Sequence, residues 1–224
     1  MKNFKITALI IFSLFITSVA YPQGKFSVKF GISVPLYDFA SDNRQNESAC
    51  GAATGLNTGL QYQYKFSKTG LGVFGGIDLN YNGMQFDYRY KIKDSFKEIV
   101  DNFTLKYNKY LNIPLIAGLN YSSSFDEKIN VYAGVGFVYN FFKITDLTVK
   151  FQGFTIIREM DSGKSPGYKI GGGIIINKRH LISIDYLRAG KYEILGRVKL
   201  SGYFEEFVFN GKIDIMSVTY GLLF

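Results

Sequence analysis

From residue 216 to the end, Met216, Val218, Tyr220, Leu222 and Phe224 alternate with Ser217, Thr219 and Gly221. A period of two sends the two sets to opposite faces of a strand. One face is large and apolar and ends on an aromatic. Exposed in water such a strand invites aggregation; facing lipid it is at home. The same period recurs upstream. Phe26, Val28, Phe30, Ile32 and Val34 lie opposite Ser27, Lys29, Gly31 and Ser33. Leu56, Leu60, Tyr62, Tyr64 and Phe66 oppose Asn57, Gly59, Gln61, Gln63 and Lys65. Leu71, Val73, Ile77, Leu79 and Tyr81 oppose Asp78, Asn80 and Asn82. Two further strands run through residues 111–121 and 129–141, and three more are predicted over 168–176, 181–187 and 213–224.

The connections between these eight strands alternate in length. Short ones fall at 67–70, 122–128 and 177–180, and long ones follow Leu36, Gly83, Phe141 and Leu187. A soluble sandwich has no reason to sort its connections by parity. Outer-membrane barrels do sort them, with short turns in the periplasm and long loops outside. The predicted fold is therefore all-β: an eight-stranded, antiparallel, up-and-down transmembrane barrel with short periplasmic turns and long extracellular hairpins. Alternation also continues into the long connections. Phe86, Tyr88, Tyr90 and Ile92 read as a prolongation of the third strand past a bulge near Gly83. Phe103, Leu105 and Tyr107 lead into the fourth strand, and residues 151–157 and 192–209 look extended too.

Residues 1–20 carry Lys2 and Lys5, an apolar run over 6–16, and the small-x-small triplet Ser18-Val19-Ala20. That layout is a signal peptide, which leaves 21–224 as one barrel domain. The formal charge of +8 comes from 26 Lys and Arg against 18 Asp and Glu. The basic residues form no concentrated stripe, so nucleic acid is not an expected partner. One Cys and one His rule out an intrachain disulfide and a Cys/His zinc cluster, and no residue pattern calls for a cofactor. Cys50 reads as a surface thiol without a redox motif.

An eight-stranded barrel is just wide enough for its own side chains to fill. Lys29 and Lys169 fall on inward faces and need anionic company there. Asp78, Asp185 and Asp214 are the expected partners, in a packed polar lumen rather than a wide pore. Catalysis finds little support. His180 lies in the short turn on the predicted periplasmic side, Glu205 and Glu206 diverge as strand neighbours, and Gly171-Gly172-Gly173 lacks the Lys-Ser/Thr of a phosphate loop.

The stretch Tyr110-Leu111-Asn112-Ile113-Pro114-Leu115 resembles the Tyr-Leu-x-Ile-Pro-Leu strand of the PorT-like outer-membrane β-barrel family. The third position, often acidic in such strands, is Asn112 here. Looser likeness extends to Phe30-Gly31-Ile32, Gly134-Val135-Gly136, Gly171-Gly172-Gly173 and the terminal Tyr-Gly-x-x-Phe stretch. The resemblance implies a Bacteroidetes-type protein of the cell outer membrane, some relatives of which serve a secretion system. Pro114 donates no ladder hydrogen bond and is expected where strand pairing is interrupted. Tyr220, Leu222 and Phe224 are the expected assembly signal, read by the barrel-assembly machinery during insertion. The functional expectation is a non-enzymatic structural or interaction component of the envelope, partnered by outer-membrane lipid and by secretion-system or envelope proteins. The alternatives are a transport or ligand-binding barrel and an envelope-lipid-modifying enzyme.

Overall fold

The computed structural model describes residues 24–43, 45–46, 48–66, 69–100, 102–200 and 203–224. The predicted leader lies outside them. The strands are β1 (Gly24–Leu36), β2 (Gly55–Lys65), β3 (Leu71–Asn82), β4 (Thr104–Lys106), β5 (Tyr110–Ser124) and β6 (Ile129–Ile144). Then follow β7 (Leu147–Phe151), β8 (Phe154–Met160), β9 (Ser162–Ile176), β10 (His180–Leu200) and β11 (Tyr203–Leu223). Eight of them, β1-β2-β3-β5-β6-β9-β10-β11, form an antiparallel ring. It closes where β11 pairs with β1, from Ser27↔Leu223 to Leu36↔Asp214. Phe26 and Phe224 then exchange backbone hydrogen bonds of 3.1 and 2.8 Å. Closure leaves the ring without a free edge.

Alternation sorts the side chains as the sequence predicts. Val28, Phe30, Ile32, Val135, Phe137, Ile170 and Ile184 are exposed on the outside of the ring. Aromatic residues collect at both ends of this belt. Phe66, Tyr121, Tyr220 and Phe224 are exposed at the short-turn end, and Tyr81, Tyr139 and Tyr168 at the long-loop end.

Inside, three layers stack along the axis. Ile175, Leu181 and Leu223 form an apolar floor at the short-turn end with Tyr132 against them. Above it lies a polar band that includes Ser27, Lys29, Asn57, Asp78, Asn80, Lys169, Asp185 and Thr219, all buried. The third layer is apolar, and the sequence reading did not foresee it. Phe142, Ile144, Leu187, Tyr192, Ile194, Ile213 and Ile215 point inward and are buried. Phe39, on the one-turn helix α1 (Tyr37–Ala40), plugs this layer from above. Its ring meets Tyr110 edge-on at 5.5 Å and Phe142 at 6.1 Å, a favourable aromatic arrangement.

Beyond the ring, β10 and β11 continue as a tall hairpin, with a register shift between Ala189 and Lys191. At that level β10 changes partner, from β9 below to β8 above. β8 pairs with β7 and β7 with β4, giving a raised five-stranded sheet. Of the expected extended stretches, 192–200 and 203–209 are strand, whereas 151–157 is broken by a turn at Gln152-Gly153 that joins β7 to β8. The expected continuation of the third strand does not form. Residues Phe86–Lys97 form a helix, α2. Tyr88, Ile92 and Phe96 recur every fourth residue and pack on the apolar layer, so one helical face is satisfied as well as a strand face would be. Asp87 in the first turn and Lys97 in the last complement the helix dipole. The bulge expected near Gly83 is absent; Met84 makes an isolated bridge to Ala52.

Candidate functional site

The polar band centres on four charges from four strands. Lys29 (β1), Asp78 (β3), Lys169 (β9) and Asp185 (β10) form a closed square. Lys169 Nζ lies 2.7 Å from Asp78 and 3.1 Å from Asp185; Lys29 Nζ lies 3.6 Å and 3.8 Å from the same two. Lys29 also donates to Gln61 Oε1 at 3.1 Å. Two cations and two anions balance, as burial demands. Glycine makes room for them. A Cβ on Gly59 would stand 2.1 Å from Asp78 Oδ1, and one on Gly171 2.0 Å from Asp185 Oδ1. On the short-turn side of the square a cavity of about 20 Å³ remains, room for about one water.

Asp214 does not join the square. It shares the parity of Met216 and Val218, so it faces outward at the long-loop rim, where its neighbours bury it to 5% exposure. There Tyr186 OH donates to it at 2.5 Å and Arg188 Nε lies 3.9 Å away. Of the family-like hexapeptide, Leu111, Ile113 and Leu115 turn outward, and Tyr110, Asn112 and Pro114 are buried inward. Tyr110 OH donates to the carbonyl of Cys50. The β3–β5 ladder runs from Leu71↔Tyr121 to Ile77↔Leu115 and resumes at Asn80↔Asn112. It is interrupted opposite Ile113 and Pro114, as a missing N–H predicts. Asn112 Oδ1 accepts from Asn140 at 3.2 Å, and its Nδ2 has no hydrogen-bond partner among the described residues.

Above the plugged ring lies a second site. A cavity of about 460 Å³ opens between α2, the raised sheet and the loop around Cys50. Ile92, Ile144, Val149 and Met160 supply apolar wall; Asn108 and Arg158 are the polar side chains of interest. Gln85 ties its rim together, donating to Ala40 O at 2.7 Å and Ala52 O at 3.0 Å. Cys50 lines the cavity but is 4% exposed, not the surface thiol expected. Burial pushes its thiol up to about 12, so it stays protonated and inert at neutral pH. The sequence reading missed this cavity. The available signal was a lone cation, Arg158, within the apolar strand Phe154-Thr-Ile-Ile-Arg-Glu-Met160.

The remaining predicted candidates lie apart. His180 opens β10 at the short-turn end, its Nδ1 2.7 Å from Tyr220 OH. Arg197 pairs with Glu206 at 3.1 Å and Asp161 at 3.4 Å, and Lys199 with Glu159 at 2.7 Å. The basic residues of the tall hairpin are thus part of a mixed surface.

A closed ring with an apolar outer belt, aromatic girdles and a filled interior is the architecture of a membrane barrel. A family model described as an outer membrane protein beta-barrel domain matches residues 6–207. The chain belongs to this family. No curated protein matches the sequence. Among solved structures the barrel is similar to the outer membrane protein OprG of Pseudomonas aeruginosa, with 12% identity and a TM-score of 0.48 over 90% of this chain and 96% of that one. A major outer membrane protein of Thermus thermophilus gives 13% identity and 0.48, covering 90% and 99%. Ail of Yersinia pestis gives 15% and 0.42, covering 90% and 99%. This outer-membrane barrel sits in the cell outer membrane, its short turns in the periplasm and its long loops outside.

Proposed function

We propose that this barrel is a non-enzymatic envelope protein that receives a small, largely apolar molecule in its extracellular vestibule, above a lumen closed by its own side chains. The cavity of about 460 Å³ carries the reading. It falls within the range of about 300–1,000 Å³ that small-molecule sites occupy, and such sites pair apolar walls with a few polar groups. The Lys–Asp square and the apolar plug above it, both below the vestibule, favour capture over passage. The test is binding of N-phenyl-1-naphthylamine by the barrel in lipid nanodiscs. Met160→Trp, which fills the vestibule, should weaken binding about tenfold or more relative to the unaltered protein. Equal binding by both proteins would contradict the vestibule as the site.

A second reading is an interaction component of the envelope, in line with the PorT-like Tyr110–Leu115 stretch and an accessory role in secretion. Tyr203 and Phe204, 67% and 64% exposed at the tip of the tall hairpin, favour it. So does β4, whose outer edge is unpaired among the described residues and suits strand addition. Cross-linking in the native outer membrane tests it: recovery of secretion-system subunits on residues 203–208 supports it, and recovery of the barrel alone counts against it. Tyr220, Leu222 and Phe224 serve assembly in this account. The outward, exposed Tyr220 and Phe224 present an apolar strand end to the assembly machinery until β1 closes over it.

A further inference from the structure

Arg158 is the one charged residue lining the vestibule among the described residues. It is half-buried, and it makes no hydrogen bond or ion pair with any of them. Its guanidinium rests 4.6 Å from the centroid of the Phe207 ring. The other charges of the neighbourhood turn away. Glu159 points to the opposite face of β8, where it pairs with Lys199 at 2.7 Å. Asp161 and Glu206 are held by Arg197. The groups nearest in charge to Arg158 are the hydroxyls of Tyr88 and Tyr110 and the thiol of Cys50, and burial lowers its pKa. A guanidinium without a carboxylate, facing an apolar wall, is costly unless an anion meets it. Buried Asn108 Oδ1 in the same cavity is also without a hydrogen-bond partner among the described residues.

We infer that the vestibule ligand is a monoanionic amphiphile, an alkyl carboxylate, with its head on Arg158 and its tail along Ile92, Ile144, Val149 and Met160. The inference rests on the vestibule reading above. One planar guanidinium pairs a carboxylate with two parallel hydrogen bonds. Among the described residues the lining carries no second cation, so a single negative charge is the match. The apolar wall supplies the rest of the affinity, and Asn108 Oδ1 stays free to accept from water or a ligand hydroxyl.

The experiment compares cis-parinaric acid with its methyl ester, by fluorescence, on the full barrel in nanodiscs of neutral lipid, with empty nanodiscs subtracted. The two probes share a tail and differ in charge. The unaltered protein should bind the acid about tenfold or more tightly than the ester, the size of a charge-assisted hydrogen-bond pair. Arg158→Gln should remove that preference and leave ester binding unchanged; Arg158→Lys should keep part of it. Equal binding of acid and ester by the unaltered protein would overturn the inference while leaving the vestibule intact. Loss of ester binding in Arg158→Gln would overturn it too, because the arginine would then be shaping the cavity. If neither probe binds above empty nanodiscs, the vestibule reading itself fails.

Discussion

Two side chains show how far burial governs chemistry in this barrel. Lys169 bridges Asp78 and Asp185 across the lumen. Lys169→Met should therefore cost about 3–5 kcal/mol, because it strands a carboxylate in the interior. Urea unfolding in detergent, followed by gel shift, would measure it. Joining Lys169→Met to Asp185→Asn restores charge balance and should recover much of the loss. Cys50 is the second case. Its folded thiol titrates at about 12 against an ordinary 9.0. A raised pKa means that the unfolded chain releases the proton first, so its contribution to stability is intact below 9.0 and lost as pH climbs toward 12. At pH 8 the folded protein should resist N-ethylmaleimide and react fully once unfolded, as mass spectrometry would show. Parity in the sequence places Lys29, Asp78, Lys169 and Asp185 together because inward strand positions alternate strictly. The same parity excludes Asp214, which shares a face with Met216 and Val218. Its charge alone argued for the lumen, and its position argued against it.

Among the elements, strands were legible and the vestibule was not. A period of two survives any neighbour, so every ring strand could be read without knowing its partner. The segment from Phe86 to Lys97 satisfies two periods at once, with apolar residues both alternating and recurring at Tyr88, Ile92 and Phe96. The helical period is the one that brings Tyr88, Ile92 and Phe96 together on the buried cluster that includes Met84, Tyr110 and Ile144. The cavity arises from several separate stretches, and no local pattern announces it. Gln85 is where these stretches are tied, by two side-chain hydrogen bonds to α1 and the Ala52 backbone. Gln85→Ala should loosen the rim by about 1–2 kcal/mol. Hydrogen exchange should then speed up over residues 86–97 and stay unchanged in β5 and β6.

At the scale of the whole molecule, apolar floor, charged square and apolar plug leave no continuous path among the described residues, while the vestibule faces the outside. His180 lies at the far end, against Tyr220, so His180→Ala should leave probe binding unchanged. Phe224→Ser should reduce the fraction of barrel inserted in the outer membrane, if the C-terminal aromatic is what assembly reads; unchanged insertion would refute that role. The most direct measurement labels the barrel in nanodiscs with a photoreactive alkyl diazirine and maps the adducts by mass spectrometry. Adducts on 84–96 and 144–160, competed away by excess unlabelled alkane, are the predicted result. Adducts continuing down the lumen to Ser183 and Thr219 would show an open channel, and adducts confined to the lipid-facing belt would leave the vestibule empty; either contradicts a capped receptor for apolar molecules.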